Sequence, residues 1–204
     1  MEADEQNLHP AFQHKRYLFR RKFFKIFGAA FHVYDEDNNL VFYAKQKAFK
    51  LKEDFRVYSD ESETEELLVI KTPQILDFSA TYYVFDPTAD EVVGALKRKG
   101  WKSIFKDEWL FLTSENQQIG LLTETSWASA FMSRYLPFFP QTYLAQTNNG
   151  KTLAEIRQHF NPFILKYTLF ILKQNPAIDR RLLIAAGILL AAIERRQRKS
   201  RSSS

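Results

Sequence analysis

The sequence feature that most constrains the fold is a wholly apolar segment near the C-terminus. Residues 182–193 read LLIAAGILLAAI, and charged residues bracket this run at 179–181 and 194–196. A helix that is apolar on every side must be surrounded on every side. As a helix the run spans about 18 Å at 1.5 Å per residue, which is too short to cross a hydrocarbon core of about 30 Å. The sequence therefore predicts a helix that passes through the middle of its own domain.

The chain before this helix has the alternation that is typical of short β-strands. Between residues 19 and 172, runs of alternating apolar and polar residues are separated by turn residues, which indicates an all-β sandwich or barrel. Clear turns lie at 35–39, 86–90, 114–117 and 147–150 and are rich in Asp, Asn, Gly and Pro. The hairpins around these turns resemble one another, and such repetition favours a sheet that closes on itself.

The length of 204 residues predicts one domain. We expect a flexible acidic tail at 1–14, a single domain at 15–196 with its central helix at about 177–196, and a disordered basic tail at 197–204. The first residues lack an apolar run, so they do not form a secretory signal. The absence of cysteine excludes disulfides, thiolate metal ligands and cysteine nucleophiles, and it fits an intracellular protein.

Basic residues are concentrated in a few stretches of the chain. Residues 15–25, 97–106 and 194–204 carry formal charges of +6, +5 and +4, whereas the net charge is +5, so the rest of the chain carries −10. Such an uneven distribution indicates a polyanionic partner. The alternative is that the cations lie on solvated strand faces while the aromatic residues between them face the core.

The cations of the first two stretches are the candidate ligands for an anionic headgroup. They are Lys15, Arg16, Arg20, Arg21, Lys22, Lys25, Lys97, Arg98, Lys99, Lys102 and Lys106. A second candidate surface lies at 127–140, where Trp127 and Phe131 share one face of a predicted short helix. Trp127, Phe131, Phe138 and Phe139 are the candidate shallow membrane contacts.

The sequence contains no pattern that predicts catalysis, a metal or a cofactor. Asp35, Asp37 and Asn39 match the first ligands of a calcium loop, but Leu40 replaces the required Gly and Gln46 the required Glu, so we interpret this segment as a hairpin turn. The four histidines have no ligand spacing. A nucleophile elbow, a phosphate-binding glycine loop and a dinucleotide fingerprint are all missing. We therefore predict a non-enzymatic protein without a cofactor.

Several motifs resemble those of a known superfamily. They are FHVYD at 31–35 with Asn39, FKL at 49–51, and Asp179 before the apolar helix. A further motif is a repeated turn in which an aromatic residue precedes Asp, at 34–35 and 85–86, and is followed by Val, two residues and Ala, at 41–44 and 92–95. With these motifs, residues 15–195 resemble the tubby C-terminal-like superfamily, which includes the LURP-one-related proteins and the phospholipid scramblases. The resemblance implies a mainly β fold, a closed antiparallel barrel of about twelve strands with the hydrophobic C-terminal α-helix through its centre.

The resemblance also implies a function. Tubby domains bind phosphoinositide headgroups through basic side chains on the barrel surface. Scramblases add a calcium-binding acidic segment, a proline-rich N-terminal region and palmitoylated cysteines. This chain has no cysteine and no proline-rich region, and residues 151–161 hold one acid, Glu155. We therefore do not expect this chain to have the calcium-activated scrambling activity of the scramblases.

We predict a non-enzymatic module that recognises anionic phospholipid headgroups at the cytoplasmic membrane surface. Anionic phospholipid or phosphoinositide is the expected partner, ahead of nucleic acid, and no metal is expected. The predicted location is cytoplasmic, with peripheral attachment to the inner face of the membrane. Two alternatives stay open, a nucleic-acid-binding barrel and a scramblase-like membrane protein anchored by its C-terminal helix. Protein partners and the oligomeric state are not predicted.

Overall fold

The computed structural model describes residues 8–21, 30–46, 54–72, 80–99, 108–125, 141–159, 165–175 and 177–202, and it describes side chains as far as residue 192. This part of the chain forms a short 3-10 helix (Pro10–Phe12), twelve strands and one long α-helix. The strands and the α-helix are β1 (Arg16–Arg21), β2 (Ala30–Tyr34), β3 (Leu40–Gln46), β4 (Asp54–Tyr58), β5 (Glu66–Lys71), β6 (Thr81–Asp86), β7 (Glu91–Arg98), β8 (Glu108–Leu112), β9 (Gln118–Glu124), β10 (Thr142–Thr147), β11 (Thr152–His159), β12 (Lys166–Ile171) and α1 (Arg180–Ser202).

The strands form one closed antiparallel barrel. Each strand pairs with its neighbours in chain order, and β12 pairs with β1 to complete the circle. In this last pair Arg16 lies opposite Phe170 and Arg20 lies opposite Lys166. Closure leaves no unpaired sheet edge. The predicted barrel of twelve antiparallel strands with a C-terminal helix is confirmed.

The two ends of the barrel differ in their connections. Because neighbouring strands are antiparallel, all odd-numbered strands run in the same direction. At the end where they begin, tight turns at 35–39, 59–65, 87–90, 113–117 and 148–151 join each even-numbered strand to the next strand. We call this the hairpin end and the opposite one the distal end. The connections at the distal end lie mostly outside the described residues.

The apolar part of α1 fills the barrel, as the sequence predicts. Every described side chain from Leu182 to Ala192 is at most 8% exposed. Near the hairpin end, Leu182 approaches Gly94 of β7, and farther along the helix Gly187 lies against the ring of Phe19. A β-carbon at position 187 would lie 2.5 Å from Phe19 Cζ, so this glycine makes room for the ring. The helix therefore runs from the hairpin end toward the distal end.

The start of α1 is fixed by a side-chain cap. Asp179 Oδ1 accepts a hydrogen bond from the backbone N–H of Arg181 at 2.8 Å, which satisfies one of the unpaired N–H groups of the first turn. Asn175, four residues earlier, accepts a hydrogen bond from the N–H of Ala177. No helix of the described residues is long and apolar enough to cross a membrane.

The structure describes part of each segment that the sequence predicts as a tail. The sequence predicts a disordered tail from residue 197, whereas α1 continues to Ser202. Arg, Gln and Lys are good helix formers, and extending an existing helix needs no new nucleus. At the other terminus, Phe12 is 1% exposed, and its ring centroid lies 5.2 Å from that of Phe42. Burial of Phe12 and Ala11 holds this part of the predicted N-terminal tail against the barrel.

Candidate anion-binding surface

The described charges are segregated along the barrel axis. The hairpin half, measured from the strand midpoints, carries six Lys and Arg against fourteen carboxylates, Asp35, Glu36, Asp37, Asp60, Glu61, Glu63, Glu65, Glu66, Asp86, Asp90, Glu91, Glu115, Glu155 and Asp179. The distal half has three carboxylates, Asp54, Glu108 and Glu124. It carries nine cations, which are Arg20, Arg21, Lys45, Lys71, Lys97, Arg98, Lys99, Arg157 and Lys166. The remaining described cation, Arg56, is the middle residue of β4 and belongs to neither half. An anionic surface attracts the distal half of such a molecule and repels the hairpin half.

The first predicted basic stretch is divided between the two ends, because β1 runs along the barrel wall. Lys15 and Arg16 lie at the hairpin end, and Arg20 and Arg21 lie at the distal end. Arg16 Nη2 donates hydrogen bonds to the carbonyl oxygens of Asp35 and Glu36 at 3.1 and 2.9 Å, so this cation holds the neighbouring turn. The structure therefore does not unite these cations in one surface.

The described cations of the second stretch lie on the opposite wall. Lys97 and Arg98 end β7, and β7 is six strands from β1 in either direction around the barrel. Lys99 Nζ is 3.0 Å from Glu108 Oε2, which offsets its charge, and the guanidinium of Arg98 is 5.9 Å from the Trp109 ring centroid. Arg20 and Arg21 of the first stretch thus share the distal end of the barrel with the described cations of the second, but they lie on a different wall.

Eight predicted site residues lie outside the described residues. They are Lys22, Lys25, Lys102, Lys106, Trp127, Phe131, Phe138 and Phe139. The short helix predicted for 127–140 also lies there.

The barrel brings together a row of basic side chains that come from both ends of the chain. Arg20 on β1 lies directly opposite Lys166 on β12, and Lys166 lies opposite His159 on β11. Their strand neighbours Phe19 and Tyr167 are fully buried, so Arg20, Lys166 and His159 belong to the outer face. We call these three residues the basic row. These residues are aligned only because the first strand pairs with the last. The alternation of side chains along each strand, together with closure of the barrel, is the sequence signal that would predict this alignment.

The basic row is electrostatically unfavourable in the unliganded protein. Arg20 and Lys166 are like charges on directly opposed positions, an arrangement that destabilises a sheet. Within the described part of the chain, neither of them forms an ion pair with a carboxylate. By contrast, Arg157 Nε on the same wall is 2.5 Å from Glu155 Oε1.

His159 is held at the edge of this row. Its Nε2 is 2.7 Å from Thr168 Oγ1 of β12. Partial burial of the imidazole, together with the positive charges of Lys166 and Arg157, lowers the pKa of His159. The neutral imidazole is therefore favoured while no anion is present.

A second charged cluster, at the hairpin end, anchors the helix. Arg181 is 6% exposed, and its guanidinium is 2.6 Å from Asp86, 2.8 Å from Glu91 and 2.7 Å from Asp179. Although burial acts in the opposite direction, hydrogen bonds from Thr88 and Arg181 keep the pKa of Asp86 below its ordinary value. Because Arg181 and Asp86 are buried and Arg181 is paired with three carboxylates, we assign this cluster to the fold and not to ligand binding.

The segment that resembles a calcium loop forms a hairpin turn. Asp35 Oδ1 accepts hydrogen bonds from the backbone N–H groups of Asp37 and Asn39 at 2.9 and 2.8 Å. These bonds are those of an Asx-type turn. In the described ranges, no three His, Asp or Glu side chains are grouped so that they could hold a metal ion.

Comparison with known proteins identifies the family. A family model described as LURP-one-related matches residues 15–191, which include every strand and most of the buried helix. None of the curated proteins gives a significant match. On the evidence of the family model and the closed barrel, the chain belongs to the LURP-one-related family of the tubby-like superfamily.

Proposed function

We propose that this protein is a non-enzymatic binding module that recognises anionic phospholipid headgroups with the distal end of its barrel. The observation that carries the proposal is the axial segregation of charge, which among the described residues, with Arg56 at the boundary left out, is formally +6 in the distal half and −8 in the hairpin half. Each Lys or Arg close to an anionic leaflet contributes about 1 kcal/mol of attraction. The acidic hairpin end would face away from the membrane, so the barrel would bind in one orientation. Membership of the LURP-one-related family is consistent with a tubby-like binding module.

The order of the strands also supports binding by the distal end. Lys22 and Lys25 fall between β1 and β2, Lys102 and Lys106 between β7 and β8, and the aromatic candidates between β9 and β10. Each of these connections leaves and re-enters the barrel at the distal end. The proposal retains all eight residues, with Trp127, Phe131, Phe138 and Phe139 as shallow contacts, because aromatic side chains are favoured at membrane interfaces.

The proposed location is the inner face of the cytoplasmic membrane. The cytoplasmic leaflet carries the anionic lipids that a cationic surface recognises. The C-terminal turns of α1 add five Lys and Arg to the chain on the distal side of the buried segment. Attachment would be peripheral, since the described apolar side chains of α1 are enclosed by the barrel.

Vesicle co-sedimentation tests this proposal. The protein is mixed with neutral, phosphatidylserine-containing and phosphoinositide-containing vesicles at low and at physiological salt. We expect binding to anionic vesicles alone, and we expect it to weaken with salt because exposed charges are screened. Binding to neutral vesicles that does not depend on salt would contradict the proposal. If the protein retained an oligonucleotide at physiological salt and did not bind vesicles, the proposed ligand would be nucleic acid and not lipid.

A matched pair of variants tests the orientation. Lys97 and Lys173 are both exposed, but Lys97 lies at the distal end and Lys173 follows β12 at the hairpin end. Lys97→Glu and Lys173→Glu change the net charge equally. Binding should weaken more in Lys97→Glu, since this position lies at the surface proposed to meet the lipid. Equal weakening in the two variants would show that net charge alone determines binding.

A further inference from the structure

We propose that Arg20, Lys166 and His159 form a binding site for a phosphate group or a similar tetrahedral oxyanion, and that His159 takes up a proton when the anion binds. The anion could be part of a lipid headgroup, in which case the inference rests on the proposed function. It could also be a free phosphate, in which case the site stands without a membrane. Both sources present the same oxygen atoms to the same three side chains.

The geometry of the row suits an oxyanion. The three residues occupy directly opposed positions on the adjacent strands β1, β12 and β11, and side chains in such positions start about 4.5–5.5 Å apart at their β-carbons. Lys166 is central and can meet an anion that Arg20 and His159 approach from either side. The guanidinium of Arg20 supplies a planar fork of donors that fits two oxygens of a phosphate.

The charges of the row also favour an anion. The repulsion between Arg20 and Lys166 is relieved when a negative charge lies between them, so binding removes an unfavourable interaction of the unliganded barrel. Arg157, the nearest other cation on β11, is already paired with Glu155. Within the described residues, no carboxylate forms an ion pair with Arg20 or Lys166 and so competes for the site.

Proton uptake follows from the surroundings of His159. Lys166 faces it from β12, Arg157 precedes it on β11, and Arg20 lies beyond Lys166 on β1. On the other side lie two neutral residues, Gln141 just before β10 and Thr142 at its start. Partial burial and the charges of Lys166 and Arg157 hold the pKa of His159 low. A bound anion offsets the positive charge around His159 and raises this pKa, so affinity should increase as the pH falls through the range in which His159 titrates.

The direct test is an NMR titration of the histidine side chains with sulfate, whose charge does not change around neutral pH. We expect sulfate to shift the His159 imidazole signals and to raise the pKa of His159. Arg20→Gln and Lys166→Gln should each weaken sulfate affinity about tenfold, the effect of removing one charge-assisted hydrogen bond. Lys173→Gln, which removes an exposed cation at the hairpin end, should leave it unchanged. His159→Gln should keep the affinity measured at high pH and lose its increase at low pH.

Vesicles that contain phosphatidylglycerol distinguish the two sources of the anion. If Arg20→Gln and Lys166→Gln weaken vesicle binding more than Lys173→Gln, and sulfate competes with the vesicles, the site takes a lipid headgroup. If these variants weaken sulfate binding alone, the site takes a free phosphate. A rise in the pKa of His159 with sulfate, without vesicle binding, would refute the proposed function and support this site. Unchanged His159 signals, with vesicle binding equal in all three variants, would overturn the inference while the proposed function stands.

Discussion

Arg181 Nη1 lies 2.6 Å from Asp86 Oδ2, and both side chains are buried. The pair joins the first turn of α1 to the end of β6, so it fixes the helix where it enters the barrel. A buried charge that loses its partner is strongly destabilising, whereas an exposed ion pair contributes little. The buried pair of Arg181 and Asp86 should therefore contribute strongly to the free energy of unfolding.

Arg181→Ala should lower the free energy of unfolding by about 3–5 kcal/mol, because it leaves the carboxylate of Asp86 buried without its cation. Urea denaturation followed by circular dichroism measures the change. Arg157→Ala is the matched control, since it breaks the exposed pair with Glu155 and should cost at most about 1 kcal/mol. Equal losses in the two variants would contradict a special role of the buried anchor.

The stability that Asp86 contributes should depend on pH. Its pKa is lower in the folded protein than the ordinary value of 3.8, so its contribution is complete above that value and is lost as the pH falls through the lower, folded-state pKa. The difference in unfolding free energy between the unmodified protein and Asp86→Asn should be largest near neutral pH and should shrink in acid. Urea denaturation over a pH series measures it, and a difference independent of pH would exclude this linkage.

Gly187→Ala should destabilise the protein although alanine is the better helix former. The new β-carbon would lie 2.5 Å from Phe19 Cζ, and overpacking of this kind costs about 1–3 kcal/mol, against a propensity gain of about 1 kcal/mol. Phe19→Leu removes the atoms in conflict. The double variant should therefore lose less stability than the sum of the two single changes. Additive losses in thermal denaturation would show that position 187 and Phe19 do not compete for space.

Removal of α1 should abolish folding of the barrel. The apolar side chains of the helix and those of the inner walls form one core cluster, so a chain that ends at residue 176 would expose much of that core to water. Near-ultraviolet circular dichroism and size-exclusion chromatography of the shortened chain test this expectation. A folded and more soluble product would show that the barrel does not need the helix.

The central helix and the β-strands could be predicted because their signals are local. Residues 182–193 are apolar throughout, a composition that requires enclosure, and the strands alternate with the period of a sheet. The extent of α1 was harder to predict, since a charged segment such as 197–202 has no apolar face that marks it as part of a helix. The position of Phe12 depends on its contact with Phe42. These two residues are far apart in the sequence, so no local pattern predicts the contact.

The candidate site could be predicted in part. Arg20 and Lys97 were recognised as cations, and the structure places both at the distal end of the barrel. The sequence does not indicate the basic row, because Arg20 and Lys166 are far apart in the chain and meet through the pairing of β1 with β12. Proximity in the chain groups Lys15 with Arg20, yet an extended strand carries these two residues to opposite ends of the barrel.

The pairing of β1 with β12 has a consequence for synthesis of the protein. A ribosome makes β1 first, whereas the strand that closes the barrel and the helix that fills it come last. A nascent chain that lacks residues 166–192 has two open sheet edges and an empty interior. We therefore expect the domain to complete its folding only after Ala192 has left the ribosome, and until then its apolar strands need protection by chaperones.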